Sequence, residues 1–182
     1  MRIIGGELKG KKLALFRGTA IRPTADRTRE AVFNIIAAKV PVANVLDLFA
    51  GTGAFGLEAL SRGAVAAVFI DNAPSAIATI EKNITACRVP DRARVINWDI
   101  IRNLNCLASA SPAFDIVFLD PPYNRNAVAP ALRNLARSGA LSPGATVIVE
   151  HAPSEIIADP PAGLALSDQR RYGKTLVSFL TS

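Results

Sequence analysis

The run Phe118-Leu119-Asp120-Pro121-Pro122-Tyr123-Asn124-Arg125 ends an apolar stretch in an acid, two prolines and an aromatic ring. A proline has no N–H to give to a sheet, so a strand must stop here. The stop leaves three things in one place: the carboxylate of Asp120, the backbone carbonyl of Pro121 and the flat ring of Tyr123. The prolines restrict φ and extend the residue before them, so both oxygens are held before any ligand arrives. Two fixed acceptors and a ring suit a planar amine. The oxygens take its two hydrogens, aim its lone pair at an electrophile and stabilise the positive charge that develops. Stacking of a base on such a ring is worth about 1–3 kcal/mol. Taken alone, Asp-Pro-Pro-Tyr fits a turn with an exposed tyrosine equally well.

A second stretch supplies the electrophile's site. Gly51-Thr52-Gly53-Ala54-Phe55-Gly56 fits G-x-G-x-x-G between an apolar run and a helical pattern, and Asp71 follows Gly51 by 20 residues. Glycines there let the backbone turn tightly against a ligand, and an acid at that distance can hold ribose hydroxyls. The pattern admits NAD(P) and S-adenosylmethionine alike. Two features separate them. Asp47 lies just before the glycines, where its carboxylate can meet a ligand ammonium group and would repel a pyrophosphate. A hydride-transfer enzyme also has no evident need for Asp-Pro-Pro-Tyr. S-adenosylmethionine carries an already electrophilic methyl on a sulfonium, so no metal is required. Two cysteines, Cys87 and Cys106, form no CxxC, and His151 is the single histidine, which leaves a zinc or iron–sulfur site unsupported.

Elements that alternate in kind must position these residues. Short apolar runs at 45–49, 66–71, 93–99, 114–120 and 145–150 read as strands. Helical patterns lie between them at 53–63, 74–87 and 127–139, and another precedes them over 23–39. Pro74 opens the second of these helices, as proline does at a first helical position. Two strand-like runs around Tyr172-Gly173 predict a closing antiparallel pair. Such alternation argues for an α/β fold with a mostly parallel sheet covered on both faces. Acids recur at the strand ends (Asp47, Asp71, Asp99, Asp120 and Glu150), and ligands of open α/β sheets bind beyond those ends.

Half of the 182 residues are hydrophobic and 20% are charged, which suits one globular domain. No apolar run reaches the length of a membrane span, and the opening residues lack the apolar block of a signal peptide, so a cytoplasmic protein is expected. The formal net charge is +6 and is unevenly spread. Residues 1–30 hold eight bases (Arg2, Lys9, Lys11, Lys12, Arg17, Arg22, Arg27 and Arg29) against three acids. A basic leading segment on a near-neutral body predicts a polyanionic partner. Residues 2–5 and 11–15 flank a glycine-containing turn and predict a short β-hairpin.

The stretches Asp47–Ala64 and Phe118–Tyr123 resemble the amino-methylating S-adenosylmethionine-dependent methyltransferases. The opening "MRIIGGELKGKKL", the segment "IRPTADRTREAVFNII" and the tail "RRYGKT" narrow the resemblance to the 16S rRNA (guanine-N2)-methyltransferase family, RsmD. It covers nearly the whole chain. The resemblance implies a Rossmann-like class I fold: a seven-stranded, mostly parallel sheet with an antiparallel last strand, over residues 21–182, and an RNA-binding hairpin extension at 1–20. It implies a cofactor site at Asp47, Gly51, Gly53, Asp71 and Asp99, and a catalytic motif at Asp120, Pro121, Pro122 and Tyr123; Phe49 and Asn72 are expected to join the cofactor site, and Trp98 fits the adenine wall or the core. RNA contacts are expected at the basic residues Arg2, Lys9, Lys11, Lys12 and Arg17, and at Arg22 and Arg27, whose stretch fits a capped, charged helix start equally well. The substrate the resemblance implies is 16S rRNA within the small ribosomal subunit, methylated by a monomer at N2 of a guanine. Asp71 stands where the family pattern favours the longer Glu. The alternative is a DNA or other nucleic-acid amine methyltransferase acting on adenine N6, although no segment is left over for a separate target-recognition domain. A non-catalytic RNA-binding protein that keeps the fold is disfavoured by the intact Asp120 and Tyr123.

Overall fold

The computed structural model describes residues 1–15, 23–108 and 112–182, with the backbone alone for 23–25. A helix, α1 (Pro23–Ile35), leads into an alternating series. The series runs β1 (Asn44–Leu48), α2 (Ala54–Ser61), β2 (Ala66–Asp71), α3 (Pro74–Cys87), β3 (Ala93–Asn97), β4 (Phe114–Leu119), α4 (Val128–Arg137), β5 (Leu141–His151), β6 (Ala165–Tyr172) and β7 (Thr175–Thr181). The strands form one seven-stranded sheet in the order β3-β2-β1-β4-β5-β7-β6. The pairs β1·β2, β1·β4, β2·β3 and β4·β5 are parallel, and β7 runs antiparallel to both β5 and β6. This is the expected sheet with its reversed last strand. The strand order reverses direction between β1 and β4, and that switch point is where open α/β sheets hold ligands.

The central strands are apolar on both faces because helices cover both. One apolar cluster joins Ile3, Leu13, Val32, Phe33, Leu57, Phe69 and Ile80. The other joins Leu46, Ile70, Ile100, Val117, Leu132, Leu135 and Val147. Strand β5 begins four residues earlier than its apolar run because the pairing with β4 shifts register between Phe114 and Ile116, admitting Ser142–Gly144 before the regular ladder resumes at Thr146.

The leading segment makes one bridged pair, Arg2 with Lys12, closed by backbone bonds such as Ile3 N–H to Lys11 O at 2.9 Å. It is seated on α2 by a buried carboxylate. Glu58, 0% exposed, accepts the N–H groups of Ile4 and Gly5, each at 2.8 Å, and the Arg62 Nε–H at 2.8 Å. Arg29, itself 2% exposed, faces the same carboxylate at 3.6 Å and donates to the Arg2 carbonyl at 2.6 Å. Charge inside a core is tolerated only when paired and hydrogen-bonded, and this one is. Buried Asn83 on α3 adds a second anchor, accepting from Ala14 N–H and donating to the Ala14 carbonyl.

Gly56 sits where α2 crosses β2 at close range. An alanine Cβ there would lie 2.3 Å from Phe69 Cε1 and 2.7 Å from Cζ. Overpacking of that kind costs about 1–3 kcal/mol. Gly56→Ala is therefore expected to lower the urea midpoint with little change in the slope of the transition. An unchanged midpoint would show that Phe69 can move aside.

Candidate active site

The carboxyl edge of the sheet gathers Asp47 from β1, Asp71 from β2 and Asp120 just past β4, on three neighbouring strands. The loop between β1 and α2 reverses direction through positive φ at Phe49 (58°), Gly51 (58°) and Gly53 (76°). Glycine accepts that region without strain, whereas Phe49 is held there by its surroundings. It packs on the second apolar cluster, as does Trp98. Three side chains clamp the loop. Asp47 Oδ2 accepts the Gly56 N–H at 2.9 Å. Asp71 accepts the N–H groups of Gly51 and Ala73, each at 2.9 Å. Asn83 donates to the Thr52 carbonyl at 2.9 Å.

Asp47 is 2% exposed, and burial pushes its pKa up to about 8. The Gly56 N–H opposes that rise, and the nearby Asp71 charge adds to it. A carboxylate so poor in solvation is stabilised by any cation placed against it, which fits the ammonium end of an amino-acid ligand. At the other end Trp98 is half-buried, donating its backbone N–H to the Asp71 carbonyl at 3.0 Å and Nε1–H to the Asn103 carbonyl at 3.0 Å. Asn72 is exposed beside it. Asp99 is also exposed and lies two residues beyond β3; its Oδ1 accepts from Ile101 and Arg102 N–H and so ties its own turn.

The Asp120 N–H donates to the Leu48 carbonyl at 3.3 Å, which joins the Asp-Pro-Pro-Tyr motif to the residue before the glycine loop. Pro121 is buried, while Asp120 and Pro122 are exposed. Beneath them a small cavity is lined by Phe55, Phe118, Ile148 and Val177 together with Asp120 and Glu150. The Phe55 and Phe118 rings stack at 4.9 Å, giving this end of the site a rigid apolar floor. The Tyr123 hydroxyl donates to Glu150 Oε1 at 2.7 Å and lies 2.9 Å from Thr175 Oγ1. Burial, then the adjacent Glu150 charge, pushes the phenol pKa up, so the hydroxyl stays protonated. The chain then turns through positive φ at Asn124 and Asn126, which asparagine tolerates better than most residues.

Five of the expected RNA-contacting cations fall on described residues. Arg2, Lys9 and Arg27 line one groove between the leading segment and α1, and all three are exposed, as are Lys11 and Lys12. Arg17 and Arg22 lie outside the described residues. His151 is fully buried between the Ala152 carbonyl and Ser178 Oγ, a structural position. Cys87 is buried and Cys106 half-buried, and neither is in a disulfide. Among the described residues no cluster of three or more His, Cys, Asp or Glu could hold a metal ion, and no helix is long and apolar enough to cross a membrane. Sequence reasoning missed Glu58 and Asn83, and took Arg29 for one of the leading basic residues where the structure buries it against Glu58. The local signals were the i,i+4 spacing of Glu58 and Arg62 and the i,i+3 spacing of Asp26 and Arg29, both common on solvent-exposed helices.

The sheet order, the reversed β7 and the acid-clamped glycine loop make this a Rossmann-like fold of the S-adenosylmethionine-dependent methyltransferases. The chain belongs to the ribosomal RNA small subunit methyltransferase D (RsmD) family, and the family model described as conserved hypothetical protein 95 matches residues 1–181. Ribosomal RNA small subunit methyltransferase D of Escherichia coli is 35% identical over 174 residues, covering 96% of this chain and 86% of its own. The protein of the same name from Haemophilus influenzae is 35% identical over 151 residues, covering 82% and 78%. A solved structure titled "Putative methyltransferase yhhF from Escherichia coli" superposes with a TM-score of 0.85 at 34% identity, covering 100% of this chain and 97% of that one.

The raised Asp47 pKa has a sign that stability measurements can read. The folded state keeps a proton, up to about pH 8, that the unfolded carboxyl releases near pH 4. Stability from this group is therefore full below about pH 4 and is lost as pH rises toward 8. Asp47→Asn keeps an acceptor for Gly56 and carries no charge. Relative to the variant, the wild type should lose stability by on the order of 1 kcal/mol per pH unit across that window. Parallel curves from pH 5 to pH 8 in urea titrations would mean that burial leaves the Asp47 pKa where it lies in the unfolded chain.

Proposed function

We propose that this protein is an S-adenosylmethionine-dependent methyltransferase that modifies the N2 amine of one guanine in 16S rRNA, taking the small ribosomal subunit as substrate, as a cytoplasmic monomer. The observation that carries this reading is the bond from the Asp120 N–H to the Leu48 carbonyl. It ties an amine-accepting motif to the strand end that opens the clamped glycine loop. The names of the relatives in the same family support rRNA of the small subunit as the substrate class.

Bound S-adenosylmethionine supplies an electrophilic methyl group and, after transfer, leaves as S-adenosylhomocysteine. Asp47 and the Phe49–Gly53 loop receive its methionine end, with the carboxylate against the ammonium. Asp71 and Asn72 face the ribose, Asp71 through whatever acceptor capacity its two backbone bonds leave, and Trp98 and Asp99 flank the adenine. A guanine amine is a poor nucleophile because its lone pair is delocalised into the ring. The Asp120 carboxylate and the Pro121 carbonyl accept its two hydrogens and draw the nitrogen toward a pyramidal shape. Pro121 and Pro122 hold those oxygens in place, so little reorganisation accompanies the reaction. The Asp120 carboxylate is also the acceptor for the proton that the amine sheds on methylation. The Tyr123 ring stacks on the base, which must leave its own stack to enter the site. Orientation of this kind can lower a barrier by about 7–11 kcal/mol.

The exposed cations Arg2, Lys9, Lys11, Lys12 and Arg27, with Arg17 and Arg22 of the same segment, contact phosphates. In Lys9→Ala/Arg27→Ala the affinity for subunits should fall, and the slope of log K against log salt should flatten by about 1–2. An unchanged slope would remove these two from the interface.

Labelled methyl transfer to small subunits from cells lacking this protein, followed by nucleotide-resolution mapping, tests the reaction. Label is expected on N2 of a single guanine, with duplex DNA unlabelled. Asp120→Ala should lower kcat by about 10²–10³-fold, the loss typical of one preorganised electrostatic partner. Full methylation by that variant, or label on adenine N6, would sink the assignment.

A further inference from the structure

The Tyr123 hydroxyl is where three separate pieces of chain meet. Its O–H donates to Glu150 Oε1 at 2.7 Å, from the end of β5. Its oxygen lies 2.9 Å from Thr175 Oγ1, at the first residue of β7. A phenol has one proton, so with that proton on Glu150 the second bond runs from Thr175 to Tyr123. The result is a directed chain, Thr175 O–H to Tyr123 O–H to the Glu150 carboxylate. Such a chain polarises along its length and fixes the ring in rotation and in tilt.

Both anchors are themselves held. Glu150 is paired with Val177 in the β5·β7 ladder, and Thr175 closes the β6·β7 ladder opposite Tyr172. Thr175 is 9% exposed. The motif itself leaves its strand at Asp120, and Asn124 and Asn126 turn left-handed immediately after it. With no ladder beyond Asp120, the tyrosine depends on its tip for its placement. A hydroxyl engaged in two bonds is also poorly suited to contact substrate.

The geometry points to Glu150 and Thr175 as positioning residues for the methyl acceptor. They act through the Tyr123 hydroxyl to hold its ring where the base stacks, and the β6–β7 hairpin thereby becomes part of the active site. This rests on the reading of Tyr123 as the stacking platform of an amine methyltransferase.

The test is kcat and KM on small subunits, S-adenosylmethionine affinity by calorimetry, and melting temperature. The variants are Tyr123→Phe, Thr175→Val, Glu150→Ala and Glu150→Gln. Methylation of guanine N2 by the wild type is scored first; its absence refutes the functional reading and, with it, the base that Tyr123 is said to hold. Given that activity, Tyr123→Phe, Thr175→Val and Glu150→Ala should each lower kcat by about tenfold, between the loss of one hydrogen bond and a full misplacement. Affinity for S-adenosylmethionine should be unchanged in all three, because the glycine loop has its own anchors. Glu150→Gln, whose carbonyl still accepts from the phenol, should restore kcat to within about twofold of wild type. The double variant Tyr123→Phe/Thr175→Val should be no worse than either single one, since both break one chain. Wild-type kinetics in Tyr123→Phe overturn the proposal. So does a loss confined to Tyr123→Phe with Thr175→Val intact, which would place the hydroxyl on the substrate. A loss in Glu150→Gln as large as in Glu150→Ala would mean that the charge, and not the tether, matters.

Discussion

The loop from Phe49 to Gly53 has no ladder of its own, yet it must hold a fixed shape at the sheet's edge. What holds it is a set of short polar bonds from neighbouring elements: Asp47 to Gly56, Asp71 to Gly51 and Asn83 to Thr52. Two of these anchors are buried acids on adjacent strands, close enough for the charge of Asp71 to raise the pKa of Asp47. The arrangement is costly with the site empty of cations and becomes favourable when a cation arrives. The same carboxylates therefore shape the loop and, in the proposed function, would favour the cationic end of a ligand. Asp71 spends one oxygen on each of two backbone N–H groups, so loop geometry is a first duty of the residue expected to meet a ribose.

Helix α2 carries that order outward. One turn past the glycines, Glu58 collects Ile4, Gly5, Arg29 and Arg62 around a single carboxylate with no solvent exposure. Removing one partner of such a node leaves charge stranded in the core, so its members stand or fall together. The consequence is that the basic leading segment does not trail from the fold. Its described cations Arg2, Lys9, Lys11 and Lys12 are presented from a surface fixed to the helix that follows the glycine loop. Asn83 joins the same segment and the same loop from α3, so loop and leading segment share two anchors.

Asp-Pro-Pro-Tyr is shaped from both ends. The prolines and the bond to Leu48 settle its start, and the hydroxyl of Tyr123 settles its end through β5 and β7. The insertion of β7 between β5 and β6 brings residue 175 to residue 123. The reversed strand thus matters to the site as well as to the architecture.

Much of this was legible in the residues themselves. Apolar runs of strand length, helical spacing, Pro74 and the glycine loop reproduce the alternating elements to within a few residues, because local propensity and two-sided burial agree along the chain. The strand-end acids were legible for the same reason, since a carboxylate in that position is either a ligand group or a liability. Local pattern could not say which carboxylates would be buried, or what they would hold. Glu58 has the spacing of a surface ion pair and lies in the core, and Asp99 looks like a ligand acid and caps its own turn. The phenol of Tyr123 finds its partners 27 and 52 residues away. Sequence by itself determined which groups could do chemistry and on which edge of the sheet they emerge. Tertiary structure decided their burial, their partners and hence their charge, because desolvation and hydrogen bonding depend on what packs against a group in space.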